Sequence, residues 1–162
     1  MGKTTLLELL QRHGYTIFPE AARTEIDEKI ALGFTIEQIR GDELRFQLDV
    51  LGRKADIEHA HDPNIVTFFD RGMHDTLAYI EAHGMQVGDN VRNIVSRSHY
   101  KKVFLLEPLP KYEQDYARTE NEVFRSKITG LLHKTYAQAG IDVVIVPPLT
   151  PAKRVEFVLE NM

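Results

Sequence analysis

Gly2-Lys3-Thr4-Thr5-Leu6-Leu7 stands at the head of the chain, and its reading decides which sheet to expect behind it. Glycine, lysine and a hydroxyl residue in that order match the closing half of the phosphate-binding pattern G-x-x-x-x-G-K-[ST]. In that pattern glycine lets the backbone approach phosphate, lysine reaches the β/γ-phosphates and the hydroxyl after it ligates Mg²⁺. Such a loop opens onto a helix whose positive end also faces the anion. Here Thr5 leads into a helix over residues 5–13 with Leu6, Leu7 and Leu10 on one face, closing at Gly14. Met1 fills the variable position before Gly2; the opening glycine and the strand before it are absent from this sequence, which reads as a longer protein clipped at its front. Four letters occur by chance in many chains, so the reading depends on the remaining residues.

Those residues alternate between two patterns. Short apolar runs at 15–18, 65–69, 103–106 and 143–146 are rich in β-branched and aromatic residues and are nearly continuous, as in strands covered on both faces. Helical spacing fills the intervals at 21–32, 36–59, 74–83, 89–98, 122–139 and 152–159. In the second of these, Ile36, Ile39, Leu44, Leu48, Leu51 and Ala55 approximate an apolar stripe that Gly41 is placed to interrupt. The order predicts a three-layer α/β/α domain, a parallel sheet with helices on both faces, over residues 1–162. At 162 residues and 43 % hydrophobic content, a single core of ordinary size accounts for the whole length.

Composition narrows the function classes. A formal charge of -4 without a clustered basic face gives no footprint for duplex nucleic acid. Cysteine is absent, which excludes disulfides, thiolate zinc sites and thiol nucleophiles. No apolar run approaches the roughly 18 residues that span a bilayer, so a cytoplasmic location is expected. The seven histidines are scattered and are expected to be mostly solvated.

Three further clusters sit where a sheet of this kind binds ligands, at the C-terminal ends of strands. Residues 65–72 end an apolar strand in Asp70-Arg71-Gly72, with Asp75 close behind. That carboxylate can hold Mg²⁺, take a proton from an attacking hydroxyl, or merely cap the next helix. Glu20 and Arg23, after the strand at 15–18, set an acid and a base at the same edge; they could grip a polar substrate or bond to each other. Residues 112–125, with Tyr112, Asp115, Tyr116, Arg118, Glu120, Glu122 and Arg125, form a polar segment able to fold over a nucleotide as a lid of about 111–126. A solvated charged helix explains the same composition. Pro147-Pro148 after the last strand suits packing beside a base or a plain rigid turn.

Taken together these stretches resemble the AAA-type ATPase domain family of small P-loop kinase-like proteins, to which the ribosylnicotinamide-kinase domain is related. The resemblance runs from Gly2 to Arg154. It implies a parallel five-stranded sheet with its first strand central, ATP or another NTP with Mg²⁺, and phosphoryl transfer or hydrolysis. By the resemblance, Gly2, Lys3, Thr4, Thr5, Arg118 and Pro148 contact nucleotide, and Thr4 and Asp70 hold the metal. Lys3, Asp70 and Arg118 act in catalysis, and Glu20, Arg23 and Arg71 face an acceptor. The missing strand would lie between those ending at Asp70 and Leu106. The expected activity is that of a small-molecule kinase acting on a nucleoside-like or other metabolite. The alternatives are an NTP-binding regulatory or interaction module that hydrolyses slowly, and a truncated form with impaired nucleotide binding.

Overall fold

The computed structural model describes residues 2–107 and 122–162. Helix α1 (Lys3–Arg12) begins at Gly2 and ends at Gly14, whose φ of 91° suits a residue without a side chain. Its Leu6 and Leu10, one turn apart, are buried. Strand β1 (Thr16–Phe18) comes next, then α2 (Ala21–Ala31), α3 (Ile36–Arg40) and α4 (Glu43–Ala60). After them lie β2 (Thr67–Phe69), α5 (His74–Ala82), α6 (Asp89–Val95) and β3 (Lys102–Leu106). The described chain closes with α7 (Glu122–Gln138), β4 (Asp142–Val146) and α8 (Pro151–Glu160). The alternation of strands and helices is the one the sequence predicts, and every strand pair is parallel.

The sheet is interrupted between the strand that leads to Asp70 and the strand that ends at Leu106, the two between which the resemblance places a further strand. β1 pairs with β2, and β3 with β4, as two separate ribbons; no ladder joins one ribbon to the other among the described residues. A shared core keeps them together instead. Leu6 and Leu10 of α1, Val155 and Val158 of α8, and Val146 of β4 form one buried cluster. Ile17, Phe68 and Phe104, from strands of both ribbons, pack against it. Burial of large aliphatic side chains contributes about 1.5–3 kcal/mol each, so this cluster is a main source of cohesion where hydrogen bonds are lacking.

The helical stretch over 36–59 is broken at Gly41 and Asp42 into α3 and α4, and the buried face of α4 is not the expected one. Gly41 ends α3, where an added Cβ would lie 2.9 Å from the Glu37 carbonyl. Asp42 then starts a new helix by accepting the Arg45 amide at 2.9 Å, while Thr35 and Gln38 form a capping box for α3. Leu44 and Leu48, expected on the apolar stripe, are exposed, and Phe46, Val50, Leu51 and Lys54 take the buried face. Most of the histidines are exposed, as expected; His74, at the start of α5, is buried.

The ends of β3 and β4 are fastened by one side chain. Arg154, 2 % exposed, donates from Nε to the Pro147 carbonyl at 3.1 Å and from Nη2 to the Glu107 carbonyl at 2.9 Å. No helix among the described residues is long and apolar enough to cross a membrane.

Candidate functional site

The end of β2 and the start of α1 meet. The Asp70 amide donates to the Phe18 carbonyl at 2.8 Å, which fixes Asp70 beside the end of β1. Its carboxylate is buried and ion-paired with the Lys3 ammonium. It does not cap α5: the residue at that helix start is Met73, without a side-chain cap. Glu20, between β1 and α2, lies between two cations, 3.7 Å from Lys3 and 2.6 Å from Nε of Arg71. Arg71 also donates to the Tyr79 hydroxyl at 2.8 Å and stands 3.6 Å from Asp75. Lys3, Asp70, Glu20 and Arg71 thus form one alternating chain of charges. Burial disfavours the Arg71 cation, but Tyr79, Glu20, Asp75 and Asp70 outweigh it and hold the guanidinium firmly protonated.

Beside this chain a pocket opens between α2, α4 and α5. Arg23 lines it together with Glu20 and Arg71, so the three acceptor-side residues read from the sequence share one cavity. Thr4 and Thr5 stand on the first turn of α1, with Thr4 exposed. Pro148 is exposed in the loop after β4, on a different element from every member of the charge chain. Arg118 and the lid up to residue 121 lie outside the described residues; residues 122–126 begin α7.

Beneath the Asp70–Gly72 turn lies a polar network that sequence reasoning missed. Lys54, 6 % exposed, donates to the Gly72 carbonyl at 2.8 Å. Tyr100 accepts the Met73 amide at 2.7 Å and donates to Glu58. Tyr136 of α7 donates to Asp75 at 2.5 Å. Burial pushes Glu58 up and His74 down, and the His74 ring lies tilted against Tyr136 with centroids 5.1 Å apart. The signal for Lys54 was available: it sits four residues after Val50 and eight after Phe46, on an apolar face where a lysine is unusual.

Burial pulls the Lys54 ammonium down to about 8, with attraction from Asp75 only partly opposing it. The unfolded chain holds this proton up to about 10.5, the ordinary lysine value. Between these limits the unfolded state binds more protons, so stability rises with pH, by up to about 3 kcal/mol from this group. Above pH 10 the raised Tyr100 and Tyr136 act in the opposite sense, because unfolding releases phenols that ionise more easily. Urea unfolding at pH 7.5 and 9.5 should therefore show the wild type gaining stability relative to Lys54→Met; a constant difference would contradict it.

Among the described residues no three His, Cys, Asp or Glu side chains gather as a metal site on their own. One carboxylate and one hydroxyl, Asp70 and Thr4, suit Mg²⁺ only if phosphate oxygens and water complete its shell, which is how Mg²⁺ is commonly held.

No curated protein and no solved structure matches the chain. A family model, described as an AAA domain, matches residues 1–154, nearly the whole length. The parallel α/β order and the lysine at the head of α1 agree with that match. The chain belongs to the AAA-domain family of P-loop nucleotide-binding proteins.

Proposed function

We propose that the chain binds a nucleoside triphosphate at the head of α1 and transfers its γ-phosphoryl group to a small molecule held in the neighbouring pocket. The observation that carries this reading is the charge chain Lys3–Asp70 and Glu20–Arg71, which brings three separate sequence motifs to one strand-end edge. The amides of Gly2, Lys3, Thr4 and Thr5 and the Lys3 ammonium receive the phosphates, with Pro148 beside the base. Thr4 and Asp70 hold Mg²⁺, which when bound neutralises phosphate charge. Asp70 orients the acceptor hydroxyl and takes its proton as oxygen bonds to the γ-phosphorus and the bond to the β–γ bridging oxygen breaks. Arg118 from the lid steadies the charge on the transferring group. Glu20, Arg23 and Arg71 grip the acceptor.

Two measurements test it. Mg-ATP at about a hundredfold excess over Kd should stabilise the wild type by about 2.7 kcal/mol, and Lys3→Met should abolish the effect. ADP release should then rise when a suitable acceptor is added. No stabilisation at millimolar Mg-ATP removes nucleotide binding. Binding without stimulation by any acceptor in a broad panel removes the kinase reading and leaves a slowly hydrolysing module.

A further inference from the structure

Lys54 is a buried ammonium with too few partners. Of its three N–H donors, one reaches the Gly72 carbonyl, and the other two have no acceptor among the described residues. The carboxylates whose charge acts on it are committed elsewhere: Asp75 accepts from Tyr136 and faces Arg71, Glu20 is shared by Lys3 and Arg71, and Glu58 accepts from Tyr100. A desolvated cation left in this condition is costly unless something else supplies oxygen.

The cavity wall that Lys54 lines has the same imbalance. It carries Arg23, Arg40, Lys54 and Arg71 against only Glu20 and Asp75. The rest is largely apolar, with Ile26, Phe46 and Val50 from α2 and α4. Such a pocket suits a molecule with an oxyanion at one end and an apolar or flat body at the other.

We propose that this pocket takes a small molecule bearing an oxyanion, either a phosphate ester or a carboxylate, and that Lys54 is the residue that reads the charge. This deepens the acceptor reading and rests on it for the pocket's role in transfer, though the binding itself does not require transfer. Lys54 supplies two hydrogen bonds from a largely buried position, where bonds to charged groups are strong. Arg71 lies on the same wall but is already held by Glu20 and Tyr79. Arg40 is likewise held by Glu43, and the discrimination is assigned to Lys54, which has donors to spare.

Matched pairs that differ only in charge test the proposal on the full chain by calorimetry at pH 7. The probes are ribose 5-phosphate against ribose, thymidine monophosphate against thymidine, and benzoate against benzamide, each with and without saturating Mg-ADP. At least one charged member should bind about tenfold or more tighter than its neutral partner. Whether the phosphate or the carboxylate pairs show it identifies the oxyanion. Lys54→Gln, which keeps a donor for the Gly72 carbonyl but no charge, should reduce the preference to about threefold or less with an unchanged circular dichroism spectrum. Equal affinity within every pair, or no binding of any charged member at millimolar concentration, overturns the proposal from the wild type alone. A preference undiminished in folded Lys54→Gln overturns the role of Lys54. Mg-ATP stabilisation, measured separately, reports on the transferase reading: its loss with the charge preference intact would end that reading and leave this one standing.

Discussion

Asp70→Asn should lower acceptor-dependent ADP release by about a thousandfold, within the range known for removing a positioned acid or base. The substitution keeps the shape of the side chain and the backbone bond from residue 70 to the Phe18 carbonyl, so the turn at the end of β2 stays in place. Charge alone is removed. In the resting protein that charge is matched by Lys3; during transfer it would hold Mg²⁺ and draw the proton from the acceptor. Losing both roles at once is why the effect should exceed that of a single weakened contact. A coupled ADP assay reads the rate, and urea unfolding checks that stability falls by no more than about 1 kcal/mol. Turnover within tenfold of wild type would show that Asp70 does not carry the chemistry.

Gly72→Ala should cost about 2–4 kcal/mol of stability, the cost of forcing atoms into a packed interior with no slack. An added Cβ would lie 2.7 Å from both Tyr100 Cζ and the Tyr136 hydroxyl, and 2.8 Å from the Tyr100 hydroxyl. Neither wall can retreat cheaply. Tyr100 is held by the Met73 amide and Glu58, and Tyr136 by Asp75. The backbone cannot move the other way, because Lys54 holds the Gly72 carbonyl. Unfolding in urea measures the loss, and a change below about 0.5 kcal/mol, the usual size for a neutral surface substitution, would mean that the turn is softer than its contacts suggest.

The parts of this arrangement that could be read from the sequence share one property: they sit at the ends of elements. Lys3 opens a helix, while Glu20 and Asp70 each come directly after an apolar strand. The rule that α/β sheets bind at their strand ends is enough to place such residues together. Arg71 and Asp75 were marked by their closeness to Asp70. Residues inside helices carry no such marker. Tyr136 lies within α7, where an aromatic residue reads as ordinary packing, and Glu58 looks like any solvated glutamate on α4. Lys54 was hidden for a different reason. A stripe through Leu44 and Leu48 competes with one through Phe46, Val50 and Lys54 on the same helix, and the packed face is the second. The division into two ribbons agrees with the sequence reading: the strand before Asp70 lies in one ribbon and the strand ending at Leu106 in the other, the two between which the resemblance places a further strand.

Arg71 has a left-handed backbone, with a φ of 70°, where a glycine would rest without penalty. A residue with a side chain there gives up about 1 kcal/mol or more of stability. The backbone would rest more easily with glycine at this position, yet the fold would lose the guanidinium that joins Glu20, Tyr79 and Asp75. The turn therefore carries backbone strain for the sake of a side chain that serves the wall of the pocket.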